Sequence, residues 1–140
     1  PGISVVGDYE YKDDEEKAYN VVRDVMKRYP GLDGVFSNSA TGSAASGRYV
    51  AETHPEKRPV LIGYDVTEPV EKYLKDGIFD MAIDQEPRRQ SYNAIVLMYK
   101  HLTEKWIPEE RELGVRVHMV MRYNAEEHSM AHVLKENIIL

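Results

Sequence analysis

The sequence predicts an α/β fold, a three-layer arrangement in which a mainly parallel sheet carries helices on both faces. Three observations carry that expectation. Short β-branched runs alternate with longer segments of 3.6-residue periodicity, the order that βαβ units produce. The run Val60-Leu61-Ile62 is apolar at every position, as in a strand covered on both sides. It stops at Gly63-Tyr64-Asp65 and a helical pattern follows, which puts a carboxylate at the carboxyl end of a strand, where doubly wound sheets gather their ligands.

Taken in order, Ile3 to Tyr9 (ISVVGDY) is apolar and β-branched and reads as a strand ending near Gly7-Asp8. Asp13-Asp14-Glu15-Glu16 opens a helix, with its acids facing the positive end of the helix dipole. Ala18, Val21, Val22, Val25, Met26 and Tyr29 form its buried stripe, and Pro30-Gly31 stops it. Leu32 to Ser37 is the next strand. Small residues from Asn38 to Ala45 then suit a helix N-terminus packed closely on a sheet, running to His54-Pro55.

After the strand 59–65 comes a helix from Thr67 to Lys75, ended by Asp76-Gly77. Ile78 to Asp84 alternates as a strand does, and Pro87 suits the first turn of a helix whose apolar face is Tyr92, Ile95, Val96, Tyr99 and Leu102. Val115, Val117, Met119 and Met121 alternate with Arg116, His118, Val120 and Arg122, which predicts a strand near a sheet edge. Residues 124–140 read as a helix followed by an apolar tail. Repeats, low-complexity tracts and interdomain linkers are not evident.

Composition narrows the function. The 140 residues hold 42% hydrophobic and 30% charged residues, ordinary for a globular domain with a real core. A net charge of −6 argues against this segment gripping a phosphate backbone itself. With no cysteine there are no disulfides and no thiolate metal ligands. No apolar run approaches the ~18 residues that a bilayer requires, so no membrane partner is expected. The start at Pro1-Gly2, without Met or a signal-peptide pattern, reads as a processed product or an excised fragment.

Several candidate sites dissolve on inspection. Gly42 to Arg48 has two glycines spaced like a phosphate loop, but Arg48 and Tyr49 stand where lysine and a hydroxyl belong, and the segment lies inside a helix. Close helix packing explains it better. His128 and His132 would share a helix face, yet no acid falls between them, and a solvated polar helix is the plainer reading. No nucleophile and base stand in a recognisable hydrolase context, so no catalytic residue, metal or cofactor is expected.

What remains is a set at strand ends: Tyr9, Asn38, Asp65 and Gln85. Amides and a carboxylate can hydrogen-bond hydroxyls bidentately, and an aromatic ring stacks on the apolar C–H face of a sugar. Each residue also has a plain alternative. Asn38 suits a helix cap, Asp65 a turn, Gln85 a polar position shortly before a proline, and Tyr9 a core position.

The segments Asp33-Gly34-Val35-Phe36-Ser37-Asn38, Val60 to Asp65, Gly77 to Pro87 and Tyr92-Asn93-Ala94-Ile95 together resemble the type I periplasmic-binding-protein fold. Bacterial sugar-binding proteins have this fold, as does the effector-binding part of LacI-type transcription regulators. The likeness runs from about Ile3 to Tyr123, and the ordered set Asn, Gly-Tyr-Asp and Gln-x-Pro is its most specific part. It implies two lobes closing over a sugar-like ligand, with Asn38, Asp65 and Gln85 at contact positions and Tyr9 where a stacking aromatic often sits. Proteins of this kind bind or regulate and are not enzymes.

Two positions depart from the family pattern, Ser39 where Asp is common and Ser91 where Gly is frequent. The family's effector part is about twice this length, so the resemblance implies a C-terminal portion. On that reading residues 1–140 are a partial ligand-binding domain, mostly the C-terminal lobe, and about 86–110 cross to the missing lobe. The expected function is the effector-binding portion of a LacI-like regulator, cytoplasmic and homodimeric, meeting DNA only through a separate N-terminal domain. The alternative is a periplasmic or extracellular solute-binding protein of a sugar transporter, or an extracytoplasmic sensor domain.

Overall fold

Helix α1 (Glu15–Arg28) begins where the chain can satisfy its free amides. Asp14 caps it by accepting a hydrogen bond from the Lys17 N–H at 2.9 Å, and Glu15 and Glu16 complement the dipole of the first turn. In this computed structural model, which describes residues 2–110 and 112–129, seven further elements follow. They are β1 (Gly34–Ser37), α2 (Ala40–Thr53), β2 (Val60–Tyr64), α3 (Glu68–Lys75), β3 (Met81–Asp84), α4 (Pro87–Glu104) and β4 (His118–Met121). Of residues 124–140, expected to form a helix and then an apolar tail, those from 130 onward lie outside the described residues. Ala125–Ser129 are helical.

The four strands form one sheet in the order β1-β2-β3-β4. The first three run parallel, with Val35 opposite Leu61 and Gly63 opposite Ala82, and β4 returns antiparallel with Ala82 opposite Val120. Parallel neighbours joined by α2 and α3 are the crossover units that the alternating pattern predicts. Alternate side chains along each strand then define two faces. Leu61, Ala82 and Val120 point to the covered face and join Val50 of α2, Val70 and Leu74 of α3, Phe79 and Ala125 in the core. Helix α1 lies on α2 and adds Met26.

Close approach between α2 and the sheet depends on Gly63. A Cβ there would sit 2.2 Å from Ser43 Oγ, which donates to the Tyr64 carbonyl at 2.9 Å. The glycines of the 42–48 segment serve packing as well. A Cβ at Gly47 would meet the Tyr73 ring at 2.2 Å.

Three expectations change. Helices were predicted on both faces of the sheet, but the second face, carrying Phe36, Ile62, Met81, Ile83 and Met119, is not covered by α1, α2 or α3. Phe36 is 63% and Met119 64% exposed. Helix α4 does not cover that face either, because none of its residues is buried and Tyr92, Ile95, Tyr99 and Leu102 are all exposed. An apolar stripe read from periodicity does not say what it packs on.

The strand predicted over Ile3 to Tyr9 does not form; residues 2–10 are irregular, with Ile3 98% and Val5 80% exposed. β-branched residues favour a strand only where a neighbouring strand completes the ladder, and none pairs with this segment among the described residues. The third change is length. Ile78 and Phe79 both donate to the Tyr73 carbonyl, which ties them to the end of α3, so β3 starts only at Met81. With β3 four residues long, β4 finds partners only from His118 to Met121, although alternation extends over Val115 to Arg122.

Candidate functional site

Because β1, β2 and β3 are parallel, their carboxyl ends share one edge of the sheet, and the residues that follow them are Asn38, Asp65 and Gln85. Register does the alignment. Tyr64 pairs with Ile83, so Asp65 leaves the sheet beside Asp84, and the Asp65 N–H still donates to the Ile83 carbonyl at 2.9 Å. Asp65 then turns with φ 64°, a left-handed conformation that Asp tolerates better than most residues. The turn brings its carboxylate to Gln85, whose Nε2 donates to Asp65 Oδ1 at 3.1 Å. Gln90 Nε2 donates to the Gln85 carbonyl at 2.7 Å and fixes that backbone from the first turns of α4.

Asn38 stands at the neighbouring strand end and is exposed. The cap of α2 is Ser39, not Asn38: Ser39 Oγ accepts from the Gly42 N–H at 3.2 Å. Ser39 Oγ also lies 2.7 Å from Tyr11 Oη, which anchors the N-terminal segment over the start of α2. Tyr9 belongs to that segment, is 38% exposed and folds back against Gly7, so it is neither a core residue nor the end of a strand. Asp65 and Gln85 are thus in direct contact, Asn38 flanks them by strand register, and Tyr9 is placed by no hydrogen bond to them.

Beneath this edge lies a cluster that sequence reasoning did not single out. Asp84 and Glu86 flank Gln85, and both are only 4% exposed. Buried carboxylates so close together need donors. His128 Nε2 donates to Asp84 Oδ2 at 2.9 Å, and the Glu86 N–H donates to Asp84 Oδ1 at 3.0 Å. His118 Nε2 donates to Glu86 Oε1 at 2.9 Å, while Arg89 Nη1 reaches Glu86 Oε2 at 3.3 Å. The two imidazole rings meet edge-on, 6.0 Å apart. Its trace in the sequence is the Asp84-x-Glu86 spacing at the end of an apolar strand.

His128, which the sequence pairs with His132 on a solvated helix face, turns instead toward Asp84 and is largely buried; His132 lies outside the described residues. Among the described residues no cluster of His, Cys, Asp and Glu is arranged to hold a metal ion. No described helix is long and apolar enough to cross a membrane.

Known proteins of similar fold bind sugars. A family model described as a periplasmic binding protein domain matches residues 1–105. No curated protein matches the sequence significantly. Among solved structures, a transporter solute-binding protein from Agrobacterium vitis, bound with α-D-tagatopyranose, is 27% identical with a TM-score of 0.83 over 94% of this chain. One from Agrobacterium radiobacter in complex with D-arabinose (22% identity, 94% of this chain, TM-score 0.82) and another from Agrobacterium vitis with bound D-fucose (21%, 90%, 0.80) share the fold. This chain spans 44%, 44% and 43% of those three proteins, respectively. With a family match over most of its length, the chain belongs to the periplasmic binding protein domain family, a family of binding proteins and not of enzymes.

Proposed function

We propose that this chain is part of an extracytoplasmic solute-binding protein of a sugar transporter, and that Asp65, Gln85 and Asn38 form one wall of its sugar site. The observation that carries the reading is the hydrogen-bonded Asp65–Gln85 pair at the carboxyl ends of adjacent parallel strands, with Asn38 beside it. Gln85 Nε2 binds Asp65 Oδ1, and in this reading Oδ2 accepts from a ligand hydroxyl. Amide and carboxylate groups held rigidly at a sheet edge can each bridge neighbouring hydroxyls, which is the chemistry that distinguishes a polyol from water.

Residues 1–140 then supply mostly the C-terminal lobe, and α4, with no buried residue, belongs to the segment of about 86–110 that passes to the other lobe. Tyr9 is a contact in this reading only if the irregular N-terminal segment swings its ring over the sugar. The effector-binding portion of a LacI-like regulator, put first on sequence alone, ranks second, because the similar structures described above are transport proteins that hold tagatose, arabinose and fucose.

The test uses the complete protein. Calorimetric titration with D-tagatose, D-arabinose and D-fucose should find at least one ligand, and Asp65→Ala should weaken it about 10- to 100-fold, the equivalent of a charged hydrogen bond of ~1.5–3 kcal/mol. The sugar-induced rise in melting temperature should shrink in parallel. An unchanged rise removes Asp65 from the site. A signal peptide upstream supports the transport reading, and a helix-turn-helix there supports the regulator.

A further inference from the structure

We infer that Asp84, Glu86, His118 and His128 are positioning residues for sugar binding: a clamp that fixes the β3–α4 link and so aims Gln85 and Asp65. The inference rests on the sugar-site reading above, and its experiment is chosen to separate the two.

Gln85 is half-buried between two carboxylates that are almost wholly buried. Its backbone therefore has no freedom that Asp84 and Glu86 do not allow. Each acid is bound from a different element. His118 reaches Glu86 from β4, and His128 reaches Asp84 from the helical residues that follow β4. The Glu86 N–H closes the loop by donating to Asp84 Oδ1. Strand β4 is antiparallel and pairs His118 directly with Asp84, so the return strand delivers the first histidine in register.

The clamp also holds an unfavourable backbone. Glu86 has φ 52° and Asp65 φ 64°, both left-handed, and non-glycine residues keep such conformations only where the surroundings over-determine them. At Glu86 the surroundings are His118 and Arg89 on its side chain and the bond from its N–H to Asp84. Releasing Glu86 lets its backbone relax toward the ordinary helical region and rotates Gln85 away from Asp65. Sites loosened by about an ångström lose affinity even when every contacting residue is present.

The test is a calorimetric comparison on the complete protein, with D-tagatose, D-arabinose and D-fucose as probes. His118→Ala and His128→Ala should each weaken sugar binding about 10-fold or more, by analogy with the loss when groups that orient metal-ligating residues are removed. His118→Gln and His128→Gln, which place an N–H donor near the lost Nε2, should recover most of that affinity. A histidine that served stability alone would lower the melting temperature of the sugar-free protein without this recovery in affinity. If the alanine variants do not fold, Arg89→Ala provides the second reading. Its half-exposed side chain leaves the core intact, and sugar binding should still weaken several-fold.

Two outcomes overturn the proposal in distinguishable ways. If Asp65→Ala abolishes binding while the histidine and Arg89 variants bind as the parent does, the site stands and the clamp falls. If Asp65→Ala and Gln85→Ala bind as the parent does, or none of the three sugars binds the parent, the site reading fails and the clamp with it.

Discussion

Asp80 shows how one side chain can hold a strand start in place. It receives Arg58 through two contacts, 2.6 Å to Oδ2 and 2.7 Å to Oδ1, and its Oδ2 also accepts from the Leu61 N–H at 2.8 Å. Burial is the largest influence on its pKa and pushes it up. The hydrogen bonds from Arg58 and Leu61 together outweigh it and hold the carboxyl below its ordinary value. A depressed folded-state pKa means that the carboxylate stabilises the fold above the unfolded value near 3.8, and that this support is lost as pH falls through the folded pKa. Asp80→Asn should cost about 1–2 kcal/mol at pH 7, the lower part of the range for charged hydrogen bonds because the pair is a third exposed. The difference from the parent should narrow below about pH 4, as denaturant melts at pH 7 and pH 3 would show. At Gly63 the constraint is space. Gly63→Ala should destabilise by about 1–3 kcal/mol through overpacking against Ser43, read as a fall in melting temperature.

Among the elements, β3 and the N-terminal segment respond to opposite rules. Phe79 precedes β3 and is 1% exposed in the middle of the core, although sequence alternation placed it in a strand. Phe79→Ala should cost about 3–5 kcal/mol, measurable by urea unfolding. The segment Ile3 to Tyr9 has the better β propensity and no sheet partner, so Val5→Pro should change the stability of this chain by less than about 0.5 kcal/mol in the same measurement. A large loss would show that the segment is paired. The helices were the most legible elements. Helix α1 carries its cap, its acidic first turn, its apolar stripe and its proline stop in consecutive residues, and all of these act locally. Strand lengths were less legible because a strand is as long as its neighbour permits.

Across the whole molecule, one face of the sheet is a packed core and the other is open. Phe36, Val60, Met119 and Met121 are exposed on the open side, and the apolar stripe of α4 is exposed as well. This much uncovered apolar surface should make the chain, purified as residues 1–140, bind an anilinonaphthalene sulfonate dye strongly while keeping a cooperative thermal transition. Dye binding no greater than that of an ordinary folded domain would show the face to be covered in solution.

By itself the sequence determined the class of fold, a mainly parallel sheet whose strands alternate with helices, and the strand-end positions of Asn38, Asp65 and Gln85. These follow from periodicity, capping and turn chemistry, which act over a few residues. Only the tertiary structure decided that Asp65 touches Gln85 and that His118 and His128 meet Glu86 and Asp84. Those contacts join residues up to 44 positions apart, and their distances are set by sheet register and by the return of β4. Nothing in a local pattern records which acid a distant histidine will find.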